Sequence, residues 1–255
     1  MNFTDALILG VVEGLTEFFP ISSTGHLILA AELLKLPETE FLKTFQIAIQ
    51  LGAILAIVAI YWHRLLFDRE MIKRLIVALI PALGIGFLFY KAIKGLFESS
   101  LVVVVALFVG GVILIVFEWW YQKTERVTTE LDAMDYKTAF FIGLFQTLSV
   151  IPGVSRAGAT LLGGLFLGMS RTAIVEFSFL LAVPTMVAAT TLDIWKNAGA
   201  FSSNDFSLLL VGFVTAFFVA LAAVKFLLRF VETHTFIAFG VYRMILAALF
   251  FLFIL

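Results

Sequence analysis

Long apolar runs separated by short polar segments dominate this chain, and they predict membrane-spanning helices. Six runs are long and apolar enough to cross a bilayer, at about residues 45–62, 75–90, 99–117, 177–192, 206–224 and 235–255. Two further apolar stretches are broken, one at Pro20 and one at Pro152. Broken backbone is tolerated at membrane depth only where protein or a polar cavity surrounds it. The pattern predicts an all-α integral membrane protein with about six transmembrane helices and two re-entrant helix pairs.

The two broken stretches resemble one another. Residues 10–25 read GVVEGLTEFFPISSTG and residues 143–158 read GLFQTLSVIPGVSRAG, which aligns Glu13 with Gln146 and Ser22 with Ser155. Paired interruptions in two halves of a membrane protein are typical of inverted-topology repeats, whose ligands bind where the breaks meet. We expect one membrane domain with a first repeat over 1–121, a cytoplasmic linker over 122–136 and a second repeat over 137–255.

The distribution of basic residues predicts the orientation in the membrane. If each broken pair returns to its own side, one face receives ten basic residues: Arg64, Arg69, Lys73, Arg74, Lys123, Arg126, Lys137, Arg171, Lys225 and Arg229. The opposite face receives five: Lys35, Lys43, Lys91, Lys94 and Lys196. Since the richer face is cytoplasmic in most membrane proteins, the first pair should dip in from outside and the second from the cytoplasm.

Composition narrows the function classes further. Hydrophobic residues make up 62% of the chain and charged residues 14%, which fits a membrane protein. The absence of cysteine excludes disulfides, thiolate metal sites and a cysteine nucleophile. A net charge of −1 gives no electrostatic reason to expect nucleic-acid binding.

Two carboxylates lie close together just before the first break. Glu13 and Glu17 are four residues apart, so a helix would place both on one face. Apolar surroundings make two adjacent negative charges costly. A divalent cation, a proton on one carboxyl or an arginine would neutralise them, and a solvated amphipathic helix is the alternative.

The turns after the breaks carry the other polar candidates. Ser22, Ser23 and Thr24 stand at the expected start of a helix with Gly25, where hydroxyls and free N–H groups bind anions. His26 is near enough to Ser23 to assist it as a base, although a capping serine with an incidental histidine is the simpler alternative. Arg156 should face an interior partner, either a phosphate or the glutamate pair. Gln50 is expected to form structural hydrogen bonds, and Arg243 to pair locally or to snorkel.

These strings resemble the undecaprenyl-diphosphate phosphatases, also called bacitracin resistance proteins. The resemblance covers nearly the whole chain, through GVVEGLTEFFPISSTGH, TFQIAIQLGAILA, PGVSRAG and EFSFLLAVP. The family's motifs fall on three groups of residues: Glu13 and Glu17; Ser22, Ser23, Thr24 and His26; and Pro152, Gly153, Ser155 and Arg156. Ala157 departs from the pattern, because a second serine is expected there.

The resemblance implies removal of the terminal phosphate of undecaprenyl diphosphate, dependence on Mg²⁺ or Ca²⁺, and a site in the bacterial plasma (inner) membrane open to the outer face. The expected partners are the polyprenyl diphosphate and membrane lipids, and a homodimer is left open. In the resulting hypothesis Ser23 attacks phosphorus, His26 takes its proton and Arg156 stabilises the phosphoryl oxygens. Glu13 and Glu17 bind the cation or orient His26, while the phosphate is bound by Ser22, Thr24, Gly25, Gly153 and Ser155. Attack by His26 or by water fits the same residues, and a flippase or transporter that binds the head group without cleaving it is the alternative.

Overall fold

A computed structural model describes residues 1–89, 96, 99–123, 128–196 and 206–253, without the side chains of 192–196. The α-helices of this part of the chain are α1 (Phe3–Thr16), α2 (Ser23–Leu33), α3 (Glu40–Phe67), α4 (Arg69–Leu88), α5 (Ser100–Gln122), α6 (Tyr136–Gln146), α7 (Arg156–Phe166), α8 (Arg171–Lys196), α9 (Phe206–Thr233) and α10 (Ile237–Phe253). Short 3₁₀ helices cover Leu131–Ala133 and Thr147–Val150.

Long apolar helices confirm the predicted fold class. Helices α3, α4, α5, α8 and α9 are long and apolar enough to cross a membrane, and α10 is a shorter apolar helix of 17 residues. Several helices extend beyond the apolar runs because polar residues cap their ends: Thr39 accepts from the N–H of Leu42, and Asp68 from that of Met71. The molecule is therefore an all-α, multi-pass membrane protein.

The two broken helix pairs are each packed against a helix from the other half of the chain. On α1, a Cβ at Gly10 would lie 2.8 Å from the carbonyl oxygen of Gly212 in α9, and one at Gly14 would lie 2.7 Å from that of Ala216. On α6, a Cβ at Gly143 would overlap the backbone of Ala78 in α4. Small residues let helix backbones approach this closely within a membrane. This close packing between the two halves of the chain fixes the position of the turn that follows each break.

The described part of the predicted linker is tied to the α3–α4 end of the molecule. Arg64 pairs with Asp132 at 2.8 Å, and Arg74 donates to the carbonyl oxygens of Leu131 and Asp132. Asp135 caps α6, and its hydrogen bonds from Thr138 hold the pKa of its carboxyl below the usual range. Of the basic residues used to predict the orientation, Lys91, Lys94 and Arg126 lie outside the described residues, as does the side chain of Lys196.

Candidate active site

The first turn runs from the end of α1 to a strained serine. Glu17 is the C-cap of α1, and the chain then passes through Pro20 to Ser22, whose φ is +69°. A positive φ is unfavourable for a residue other than glycine, and such strain is concentrated at functional sites. Ser22 is the N-cap of α2, where its Oγ accepts from the N–H of Gly25 at 3.4 Å. The predicted capping role is confirmed for Ser22, while Ser23 and Thr24 lie inside the first turn of the helix.

The second turn repeats this backbone geometry. After the 3₁₀ helix Thr147–Val150 the chain passes through Gly153, with φ of +93°, to Ser155, with φ of +75°. Ser155 is the N-cap of α7, and its Oγ accepts from the N–H of Gly158 at 3.1 Å. Glycine is required at position 153 for a second reason, because a Cβ there would lie 2.6 Å from the carbonyl oxygen of Val103.

One carboxylate connects the two turns. Ser23 donates its hydroxyl proton to Glu17 Oε2 at 2.5 Å, and Arg156 Nη2 donates to Glu17 Oε1 at 2.7 Å. The side chain of Glu17 is 6% exposed and that of Arg156 is 10% exposed, so little water screens the pair. Glu17 is one of the partners predicted for Arg156, and the phosphate stays a prediction. A serine, a carboxylate and an arginine lie in direct contact.

His26 forms no hydrogen bond with Ser23 in the described part of the chain, so its expected role as the base for Ser23 stays a prediction. Its Nδ1 lies 2.8 Å from the carbonyl oxygen of Ser22, which can only accept, so Nδ1 carries the proton. Its Nε2 then accepts from the hydroxyl of Tyr242 at 2.7 Å, and the two rings stack. Because both ring nitrogens are occupied, His26 holds the strained turn. Glu17, instead, accepts the hydrogen bond from Ser23.

Glu13 is a buried carboxyl group without a hydrogen-bond partner in the described part of the chain. It is fully buried one helical turn before Glu17, and neither of its carboxyl oxygens has a hydrogen-bond partner in the described part of the chain. Burying an unsatisfied carboxylate is costly, so a proton or a cation must compensate it. The described residues contain no group of three or more His, Cys, Asp or Glu side chains suited to a metal. A cation held here would need oxygen ligands from the substrate as well, which is the usual arrangement for Mg²⁺ with phosphates.

A cavity of about 150 Å³ lies where the turns meet. Seven of the predicted residues line it: Glu17, Ser22, Ser23, Thr24, Gly153, Ser155 and Arg156. Glu13, Gly25 and His26 are absent from its lining. The N–H of Gly25 is used by Ser22, and a Cβ at Gly25 would lie 3.2 Å from Leu107, so this glycine serves packing rather than substrate contact.

Three polar lining residues were not predicted to face a site. Gln50 was predicted to form structural hydrogen bonds, and no role was predicted for Ser149 or Thr185. All three residues border the cavity. Thr185 also accepts a hydrogen bond from Gln146 Nε2 at 3.2 Å. A single polar residue in an apolar helix was the available signal, but it does not distinguish a structural hydrogen bond from a cavity wall.

Arg243 was predicted to pair locally or to snorkel, and this prediction is wrong. Its side chain is 1% exposed, and it donates hydrogen bonds to five backbone carbonyls on three distant segments. The sequence could not reveal these partners, because backbone carbonyls left free by a break have no signature of their own.

Fold and site together define a class: multi-pass helical membrane proteins in which two broken helix pairs bring a serine, a carboxylate and an arginine to one buried cavity. Opposed helix starts with these groups suit an anionic ligand. Residues 6–249 match the family described as "Bacitracin resistance protein BacA", and the chain belongs to this family.

Curated relatives agree with this assignment over the full length. A protein of Persephonella marina named undecaprenyl-diphosphatase is 51% identical over 255 residues, which cover 100% of both chains. One of the same name from Aquifex aeolicus is 49% identical over 257 residues, covering 99% of this chain and 100% of the relative. Another from Thermus thermophilus is 49% identical over 255 residues, covering 98% and 97%.

Proposed function

We propose that the protein hydrolyses undecaprenyl diphosphate to undecaprenyl phosphate and inorganic phosphate. The product is the lipid carrier for peptidoglycan and other envelope polymers, and the activity would confer bacitracin resistance. The observation that carries the proposal is the contact of Glu17 with both Ser23 and Arg156 beside one cavity. The name shared by the relatives supports the choice of substrate.

Chemistry begins at the serine hydroxyl. As Ser23 Oγ attacks the terminal phosphorus, its proton passes to Glu17 Oε2, already 2.5 Å away. A bond forms between Ser23 Oγ and phosphorus, and the bridging P–O bond breaks to release undecaprenyl phosphate. Glu17 gives this proton to the departing undecaprenyl phosphate and is ionised again. It then takes a proton from the water that attacks the phosphoserine, and that proton returns to Ser23 Oγ as the P–O bond to serine breaks and inorganic phosphate is released. Direct attack by water activated by Glu17 is the alternative that the experiments below separate.

Recognition of the phosphate would fall to groups from both turns. Besides its bond to Glu17, Arg156 donates through Nη1 to the carbonyl oxygen of Ser178 at 3.2 Å. Its other three N–H groups have no acceptor among the described residues, so they are available for phosphoryl oxygens. The backbone N–H groups of Ser23 and Thr24, at the start of α2, are likewise unpaired within the described structure. Such donors stabilise the charge that develops as the phosphoryl group moves.

A divalent cation, Mg²⁺ or Ca²⁺, is part of the proposal. Glu13 and Glu17 would hold it, since Glu13 is a buried carboxylate that needs a positive partner. Bound there, the cation would neutralise phosphate charge and polarise the phosphoryl oxygens.

The orientation is also proposed rather than observed. The excess of basic residues at one face supports placing that face in the cytoplasm, which would turn the first broken pair and the cavity towards the outside. The protein would then act in the bacterial plasma membrane, with residues 1–121 and 137–255 as inverted repeats. A homodimer stays a prediction.

Phosphate release from undecaprenyl diphosphate by the purified protein tests the function. We expect release that a chelator abolishes and that added Mg²⁺ or Ca²⁺ restores. Binding of the diphosphate with no release under any of these conditions would favour a carrier of the lipid and would contradict the phosphatase.

A further inference from the structure

Arg243 is a fully buried cation with no carboxylate partner in the described part of the chain. It lies on α10, is 1% exposed, and is the largest of the fully buried side chains among the described residues. None of the ion pairs in that part of the chain includes it. An arginine at membrane depth must find hydrogen-bond partners, because the unsatisfied group is costly. Its partners therefore reveal what it does.

All five N–H groups of the guanidinium are used, each by a different backbone carbonyl. Nε donates to Leu107 at 3.2 Å, and Nη2 donates to Ala106 at 3.0 Å, both on α5. Nη1 donates to Pro20 at 3.2 Å. The same Nη1 donates to Val154 at 2.9 Å, and Nη2 donates to Gly153 at 2.9 Å.

Three of these carbonyls belong to the two breaks. Pro20 lies two residues before the capping Ser22, and Val154 directly precedes the capping Ser155. A broken helix leaves carbonyls without their usual partners, and Arg243 satisfies one in the first turn and two in the second. A single planar group thus joins both turns to α5.

Glycines on α5 leave room for the guanidinium group of Arg243. A Cβ at Gly110, on α5, would overlap Arg243 Nη2. One at Gly111 would lie 2.7 Å from the carbonyl oxygen of Gly240 on α10, so the two helices pack backbone to backbone. The guanidinium is held in place by this close approach.

We propose that Arg243 is a positioning residue that sets the separation of the two turns, and with it the alignment of Ser23 and Glu17 with Arg156. It acts through the backbone of both turns and lies behind the residues that line the cavity. The catalytic consequence rests on the proposed function. The predicted effect on the distance between the turns does not rest on the proposed function, since that distance can be measured without any reaction.

The distance between the turns is the first readout. The chain has no native cysteine, so spin labels can be placed at Leu15 and Leu148 alone. Both side chains are exposed, at 45% and 52%, and neither lines the cavity. We expect a narrow distance distribution that becomes broader or shifted in Arg243→Lys, because an ammonium group has three donors on one nitrogen and cannot span both turns and α5.

Arg171→Lys is the control for losing an arginine that is partly buried, at 21% exposure, and lies outside the cavity. Arg171 pairs with Glu118 and lies over the rings of Tyr121 and Phe236, and it does not line the cavity. We expect this variant to keep the wild-type distance distribution. Broadening of equal size in both variants would mean general loosening and would overturn the proposal, as would an unchanged distribution in Arg243→Lys.

If Arg243→Lys fails to fold, a pair of less disruptive variants tests whether Arg243 sets the distance between the turns. Gly110→Ala keeps the arginine but pushes a Cβ into Nη2, whereas Gly86→Ala adds a Cβ with no atom within 4 Å. Both replace a helical glycine, so their effects on helix propensity match. The proposal requires a changed label distance in Gly110→Ala alone, and equal behaviour of the two variants would refute it.

Kinetics supply the second readout. In Arg243→Lys and Gly110→Ala we expect kcat to fall about tenfold or more, because small misplacements of reacting groups are costly. The KM should change much less, since Arg156 and the helix starts still bind phosphate. A changed distance with unaltered kcat would limit Arg243 to a structural role and would contradict the positioning role. If the wild-type protein releases no phosphate, the proposed function fails while the distance readout still decides whether Arg243 spaces the turns.

Discussion

The first and second turns hold their capping serines in nearly the same backbone conformation. Ser22 has φ of 69° and Ser155 has φ of 75°, and each Oγ accepts from the N–H three residues later. The residue that follows each cap differs, since Ser23 follows the first and Arg156 the second. A hydroxyl that can attack and a cation that can bind charge thus occupy equivalent places.

The difference shows how a repeated backbone can build an asymmetric site. Glu17 of the first half accepts from Ser23 and from Arg156, so each turn supplies what the other lacks. One helical turn before the first turn, Glu13 aligns with Gln146, which donates to Thr185 and carries no charge. The carboxylates are therefore confined to the first half, and the arginine that faces the cavity comes from the second.

Substituting the two neighbouring serines of the first turn should give the largest effect. We expect Ser23→Ala to lower phosphate release by at least about a thousandfold, because it removes the nucleophile. Ser22→Ala should be much milder in activity and should cost about 1 kcal/mol of stability through the lost cap. Phosphate release by purified variants provides the measurement. Near-normal release by Ser23→Ala, with none from His26→Ala, would replace the serine by His26 or water.

Glu17→Gln removes the group that the two turns share. An amide cannot take up the proton of Ser23 as a carboxylate can, so the rate should fall by about a hundredfold or more. Glu118→Gln makes the same chemical change at the buried partner of Arg171, away from the cavity, and should retain kcat. Equal kcat losses in the two variants would show that Glu17 acts through stability rather than chemistry.

Arg156→Lys tests the contribution of the second turn. The lysine keeps the charge but loses the planar fork, so we expect kcat/KM to fall well over tenfold, or about 1.4 kcal/mol or more. Arg171→Lys serves as the control for a partly buried arginine outside the cavity. Full activity in a folded Arg156→Lys protein would remove Arg156 from phosphate recognition.

Glu13→Gln makes the first half resemble the second at one position and should have the smallest effect. If Glu13 helps to hold the cation, the Mg²⁺ concentration for half-maximal activity should rise about tenfold. Gln146→Glu, its converse, should leave that concentration unchanged. An unaltered Mg²⁺ titration in Glu13→Gln would instead mean that a proton neutralises this carboxyl.

The sequence was sufficient for the fold class and for most of the cavity lining. Apolar runs report membrane burial directly. Pro20 and Pro152 mark breaks because Ser/Gly turns follow them, whereas Pro81 and Pro184 lie inside continuous helices. Side-chain partners were harder to predict because they depend on contacts between distant segments. Tyr242 takes one nitrogen of His26, and Arg243 binds carbonyls of both turns, although neither residue belongs to a recognisable motif. Proximity in sequence suggested His26 for Ser23, whereas the break between α1 and α2 brings Glu17 to it.

The central claim, that two oppositely directed turns build one site, is tested most directly by paired cysteines in this cysteine-free chain. Thr24 and Ser149 line the same cavity from different turns, so cysteines there should be joined by a short thiol crosslinker, and added pyrophosphate should slow the reaction. Cysteines at Leu33 and Phe166, the ends of α2 and α7, should stay unlinked because inverted repeats put them at opposite membrane faces. Crosslinking of Leu33 to Phe166, with none between Thr24 and Ser149 in active protein, would contradict the shared site.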